Sequence, residues 1–136
     1  MTLIAILLSI ITTAIAVVHI LWGIGFWWPI RDEEALVRTV VGFKGITRMP
    51  GPIPCALVAV GLICAANFPW FPHGFLRNLG LWASAVVFLG RGAITYAPFW
   101  RALTPEQPFS RLDRSLYGPL CLLLAAGYLT LVLGAT

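Results

Sequence analysis

The sequence predicts an all-α integral membrane protein, a bundle of four transmembrane helices with a short interfacial helix in its first loop. Three observations carry this. Hydrophobic residues make up 60% of the 136 positions and charged residues only 10%, against roughly 25% charged in an ordinary soluble domain. Mean hydropathy is +0.91; a soluble chain this short buries too small a fraction of its surface to hide so much apolar area. Finally, four apolar runs are each long enough for a hydrocarbon core of about 30 Å, and short charged segments separate them. The length fits one domain over residues 1–136. The composition excludes a disordered tail, a disulfide scaffold and a soluble enzyme.

The first run covers residues 3–28. It is longer than a span needs, so it is expected to tilt or break near Gly23 and Gly25. No basic residue precedes it and it exceeds the length of a signal-peptide core, so it reads as a retained span. The first loop opens with Asp32, Glu33 and Glu34, an acidic first turn favoured by the helix dipole. Leu36, Val37, Val40, Val41 and Phe43 then recur at helical spacing, and Gly42 or Gly45 ends the pattern. This is the interfacial helix, or a lid over a cavity between the spans. Pro50, Pro52 and Pro54 suit the start of the second span, residues 52–71, where missing N–H groups cost little. The third span covers residues 78–99 and the fourth residues 115–133, with Asp113 and Ser115 placed to cap the fourth.

Charge sets the orientation. Arg31, Arg38, Lys44 and Arg48 lie in the first loop and Arg101, Arg111 and Arg114 in the third, whereas the second holds only Arg77. The positive-inside rule puts the first and third loops in the cytoplasm and both termini at the periplasm or exterior of a plasma (inner) membrane. The net charge of +4 therefore anchors topology and does not point to a nucleic-acid partner.

Polar groups inside a bilayer are costly, so they mark the candidate sites. Arg91 lies eight residues before Phe99, about 12 Å from the cytoplasmic boundary. It either snorkels and pairs with Asp113, Asp32, Glu33 or Glu34, or holds an anionic headgroup with its planar fork. Ser84, Arg91 and Thr95 share one helix face. His19, with Trp22 one turn on, belongs to the same half of the membrane, as do Tyr117 and Asp113 at the start of the fourth span. The imidazole either bonds a neighbouring helix or handles a proton. The ligand-binding candidates are thus His19, Trp22, Arg91, Thr95, Asp113 and Tyr117.

Cofactors are not indicated. His73 and His19 fall at opposite depths, roughly 20 Å apart, so one haem cannot bridge them. Cys55, Cys64 and Cys121 show no C-x-x-C spacing, which leaves no metal-ligand pattern. No Asp or Glu lies within the four spans. That disfavours a carboxylate-coupled transporter and an acid–base hydrolase.

Two segments carry a resemblance. One is His19-Ile-Leu-Trp22-Gly-Ile-Gly25, leading to Trp28-Pro29. The other runs Phe109-Ser-Arg-Leu-Asp113-Arg-Ser-Leu-Tyr117-Gly-Pro119-Leu-Cys121. With the hydropathy pattern and Arg91, the chain resembles the domain of unknown function 3995 family of small bacterial four-span membrane proteins. The resemblance brings no assigned activity, ligand or catalytic residue. Members often place an aspartate four residues after the arginine of the third span; this chain has Thr95 there.

The first expectation is an integral membrane protein that binds a lipophilic or anionic ligand in the bundle, or a membrane partner, including a second copy of itself. The second is a small membrane enzyme acting on a lipid, with His19 as acid/base and Arg91 holding the headgroup. The third is a small transporter.

Overall fold

The structure, a computed structural model, describes residues 1–134 and is helical, with no strand among the described residues. α1 spans Thr2–Gly23, α2 Glu33–Val40, and α3 Pro52–Asn67, which passes into a 3-10 turn at Phe68–Trp70. α4 spans Phe75–Ile94 and α5 Pro98–Leu103. α6, Phe109–Leu112, runs through a π-helical stretch, Asp113–Tyr117, into α7, Gly118–Leu133.

Three of these segments are long and apolar enough to cross a membrane: Thr2–Gly23, Pro52–Trp70 and Phe109–Leu133, of 22, 19 and 25 residues. α4 has 20 residues but carries both Arg77 and Arg91, which lowers its mean hydropathy.

The expected boundaries shift for identifiable reasons. α1 stops at Gly23, not at residue 28. Gly25 takes a left-handed φ of +81°, and Gly25 and Phe26 donate back to the Trp22 and Leu21 carbonyls, a Schellman stop. Residues 26–28 lie outside the helix. α3 yields to the 3-10 turn because Pro69 has no N–H for the Ala65 carbonyl. α4 starts three residues earlier than expected and ends at Ile94, short of Pro98, which opens α5. The last span is a longer helix, not a fresh start at residue 115.

α1 packs along α3, and α4 along α7. Leu81, Ala85, Phe88, Leu124, Ala125 and Tyr128 form the heart of the core. Phe88 stacks on Tyr128 with centroids 5.7 Å apart and planes at 6°. The Tyr128 hydroxyl donates to the Ala65 carbonyl at 3.0 Å, supplying the donor that Pro69 lacks. Ser9 donates to the next orphan, the Ala66 carbonyl, at 2.6 Å, and Trp70 Nε1 donates to Ser9 Oγ at 2.8 Å. The frayed end of α3 is thereby sewn to α1 and α7. The large side chains turned away from the core are apolar, with Leu3 67%, Leu57 70%, Val87 66% and Leu123 71% exposed.

At the opposite end α2 packs on α6. Asp32 caps α2, accepting from the Ala35 N–H at 2.9 Å, so the acidic run begins at the cap and not inside the helix. Leu36 and Val37 are fully buried against Trp22, Trp27, Ile30, Val40, Val41 and Ile46. Gly42 ends this helix with φ +71°, donating to the Val37 carbonyl.

Candidate functional site

The site forms where α4, α5 and the π-helical stretch converge. α4 supplies Arg91, and Thr95, one turn on, is the C-cap that follows its last residue. Arg91 Nη1 donates to Thr95 Oγ1 at 2.8 Å, and Nη2 donates to Asp113 Oδ1 at 2.6 Å. α5 supplies Trp100, whose Nε1 donates to Asp113 Oδ2 at 3.0 Å. The Trp100 ring also lies 5.5 Å from the Arg91 guanidinium carbon, within cation–π range. One carboxylate is thus held by a guanidinium and an indole that also contact each other. Asp113 is 4% exposed at its side chain and Arg91 33%.

Asp113 does not cap a helix as expected. The chain is already helical from Phe109, so the residue stands inside the helix and its carboxylate reaches sideways to α4 and α5. Ser115 does not cap either; its hydroxyl donates to the Arg111 carbonyl at 2.9 Å. The π-helical turn has a local cause. Pro119 offers no N–H to the Ser115 carbonyl, and its ring crowds that oxygen. The Gly118 N–H instead bonds the Asp113 carbonyl five residues back, which widens the turn. Gly118 is also where α7 meets Thr95: a Cβ there would lie 2.9 Å from Thr95 Cγ2 and 2.9 Å from the Asp113 carbonyl oxygen. Gly92, a turn before Thr95 on α4, likewise allows close approach, there against Leu122.

Of the six expected residues the structure joins three: Arg91, Thr95 and Asp113. His19 is elsewhere. Its Nδ1 donates to the Ile15 carbonyl at 2.8 Å, and its ring lies 5.0 Å from Trp22; both contacts stay on α1. Trp22 donates to the Trp28 carbonyl at 2.8 Å and packs under α2. Tyr117 donates to the Thr39 carbonyl at 3.0 Å, which ties α2 to the π-helical stretch. No group of three His, Cys, Asp or Glu side chains gathers in metal-binding fashion among the described residues.

The first loop closes over this region. Phe43 meets Trp100 edge-on at 6.1 Å. Lys44 N–H donates to the Leu103 carbonyl, and Glu106 N–H to the Gly42 carbonyl. Glu106 accepts from the Gly45 N–H at 3.1 Å and from Arg38 at 2.7 Å. The Gly45 N–H, and after it Arg38, hold the Glu106 carboxyl below its usual value.

These residues fall inside a sequence match. The profile of the family described as "Protein of unknown function (DUF3995)" matches residues 12–128. The chain belongs to this family. No curated protein and no solved structure matches it. Within the matched region of this DUF3995 chain, sequence reasoning missed two participants. Trp100 reads as an interfacial aromatic closing the third span, because nothing in its spacing shows that α5 folds back toward Asp113. Gly118 carries a readable signal, the Gly-Pro step, but its partner Thr95 is known only from the fold.

Proposed function

We propose that this DUF3995 protein is a four-span protein of the inner membrane that binds the headgroup of an anionic amphiphile at Arg91. α4 serves as the remaining span, third in chain order. Its outward face is apolar, with Val86 62% and Val87 66% exposed, and both of its arginines lie near its ends, where long cationic side chains reach the headgroups. The loop charges then set both termini at the periplasmic side, and the Arg91 site opens in the cytoplasmic leaflet. Fusions test this topology. A reporter active only in the periplasm is expected to give signal after Thr136 and none within 101–108; the reverse pattern overturns the orientation.

The single observation behind the binding reading is the partial exposure of Arg91. Its guanidinium has five N–H donors. Two are spent on Thr95 and Asp113, and the side chain remains one-third open. Asp113 and Trp100 fix the plane of the fork, so a phosphate or carboxylate meets donors already in position. His19 makes its contacts on its own helix, which favours binding over acid–base chemistry.

Native mass spectrometry after detergent exchange is the test. The wild type is expected to retain phosphatidylglycerol in preference to phosphatidylcholine, and Arg91→Gln to lose that preference about tenfold, the loss of roughly one charge-assisted bond. Equal retention by the two proteins overturns the reading.

A further inference from the structure

The other end of the helix bundle holds a cation that no described residue balances. Arg77, the third residue of α4, is 7% exposed. Its Nε donates to the Pro69 carbonyl over a long 3.4 Å. Its Nη1 is buried and has no acceptor at all among the described residues. A buried charge is tolerated when it is paired, and among the described residues no acidic side chain pairs with it here. All five carboxylates, Asp32, Glu33, Glu34, Glu106 and Asp113, belong to the opposite end, with α2, the third loop and the Arg91 site. At this end Ser9, Trp70 and Tyr128 spend their donors on α3 carbonyls or on one another.

The backbone adds to the positive character. Gly74 precedes α4 and provides no side-chain cap, so the first amides of a 20-residue helix have no capping partner among the described residues. The Arg77 side chain reaches the Pro69 carbonyl, in the 3-10 turn that precedes α4 in the chain. A guanidinium and free helix-start amides together form an anion-binding environment.

We propose that Arg77 and the start of α4 hold a phosphate group, that of a phospholipid in the leaflet at this end. The site is separate from the Arg91 site and goes beyond the reading made for it. The phosphate supplies the missing negative charge, and a small rotation of the guanidinium brings Nη1 and Nη2 to it. The headgroup beyond the phosphate makes no difference here, whereas the Arg91 site selects net negative charge.

The test uses full-length protein in a maltoside detergent, which contains no phosphate, with delipidation checked by phosphorus content. Melting temperature is measured with three additives: a short-chain phosphatidylcholine, the diacylglycerol of the same chains, and inorganic phosphate. Phosphatidylcholine at about a hundred times its Kd is expected to raise the wild-type value on the order of 5 °C, and the diacylglycerol to leave it unchanged. Arg77→Met keeps the long apolar stem and removes the charge. Its melting temperature without additive is expected to equal or exceed that of the wild type, and its response to phosphatidylcholine to vanish. Arg77→Lys is expected to keep some of the response. Arg91→Gln is expected to keep all of it, so failure of one site is read separately from failure of the other. A wild-type response to inorganic phosphate that Arg77→Met lacks assigns the same anion site to a free anion. An Arg77→Met protein that responds like the wild type overturns the proposal. So does one markedly less stable than the wild type without additive, because the arginine is then structural.

Discussion

Asp113→Leu is expected to lower the stability of the detergent-solubilised protein by about 3–5 kcal/mol, the usual cost of removing one member of a buried ion pair. The substitution leaves Arg91 Nη2 and Trp100 Nε1 without their acceptor. The guanidinium keeps its bond to Thr95 and the Trp100 ring beside it, but no negative charge. The expected fall in melting temperature is on the order of 10 °C. Asp113→Asn separates charge from hydrogen bonding. Its carbonyl oxygen still accepts from one of the two donors, so its loss is expected to be about half that of leucine. The decisive comparison is the double variant Arg91→Met with Asp113→Leu. With both charges gone, neither is stranded, and the double variant is expected to be more stable than Asp113→Leu alone. A double variant as unstable as the sum of the two singles shows that the residues do not couple. The pair is then not what holds α4 to the π-helical stretch. Phosphatidylglycerol retention separates this structural role from binding, since Asp113→Asn keeps Arg91 and is expected to keep the lipid.

The sequence exposed this pair by arithmetic on depth. Arg91 eight residues before Phe99, and Asp113 just before the last apolar run, place two opposite charges at one level of the bundle. Hydropathy likewise outlines α1, α3 and α7, because a run of some twenty apolar residues has few other uses. What stayed hidden depends on direction. A carboxylate before an apolar run reads as a cap when the helix starts there. Here the helix starts at Phe109, so the same carboxylate points across to another helix. His19 shares the depth of Arg91 in the sequence, yet depth does not fix rotation about the helix axis, and its contacts lie along α1. Trp100 illustrates a third limit. An aromatic at a span end is ordinarily an interfacial anchor, and only the turn between α4 and α5 brings this one onto the Asp113 carboxylate. Thr95, one turn beyond Arg91, has a smaller task than Asp113. Its hydroxyl accepts from Arg91 and leaves the charge balance to Asp113.

The second large effect is expected from Gly42→Ala, a substitution that alters no charge. Gly42 sits at φ +71°, a conformation that costs an L-residue roughly 1–2 kcal/mol. The space is also taken: a Cβ would fall on the ring of Phe109 and within 2.6 Å of its Cβ. Phe109 is 2% exposed, lies 5.8 Å from the Tyr117 ring and begins α6, so it cannot swing aside without moving the helix. Overpacking of this kind costs about 1–3 kcal/mol more. The strain is relieved by lifting the 42–46 segment off the third loop. That movement breaks the bonds from Glu106 N–H to the Gly42 carbonyl and from Lys44 N–H to the Leu103 carbonyl, and those from Gly45 N–H and Arg38 to the Glu106 carboxylate. Phe43 then leaves the Trp100 ring. Gly42→Ala is therefore expected to cost about 2–5 kcal/mol and to speed proteolytic nicking or amide exchange across 42–46 and 103–106 together. Gly45→Ala is the control. It shares the left-handed φ, at +72°, but a Cβ there meets nothing within 4 Å. It is expected to cost only the backbone strain and to leave the third loop protected. If both alanine variants open the two loops equally, the backbone conformation alone is responsible, and the contact between Gly42 and Phe109 is not what holds the first loop over the Arg91 site.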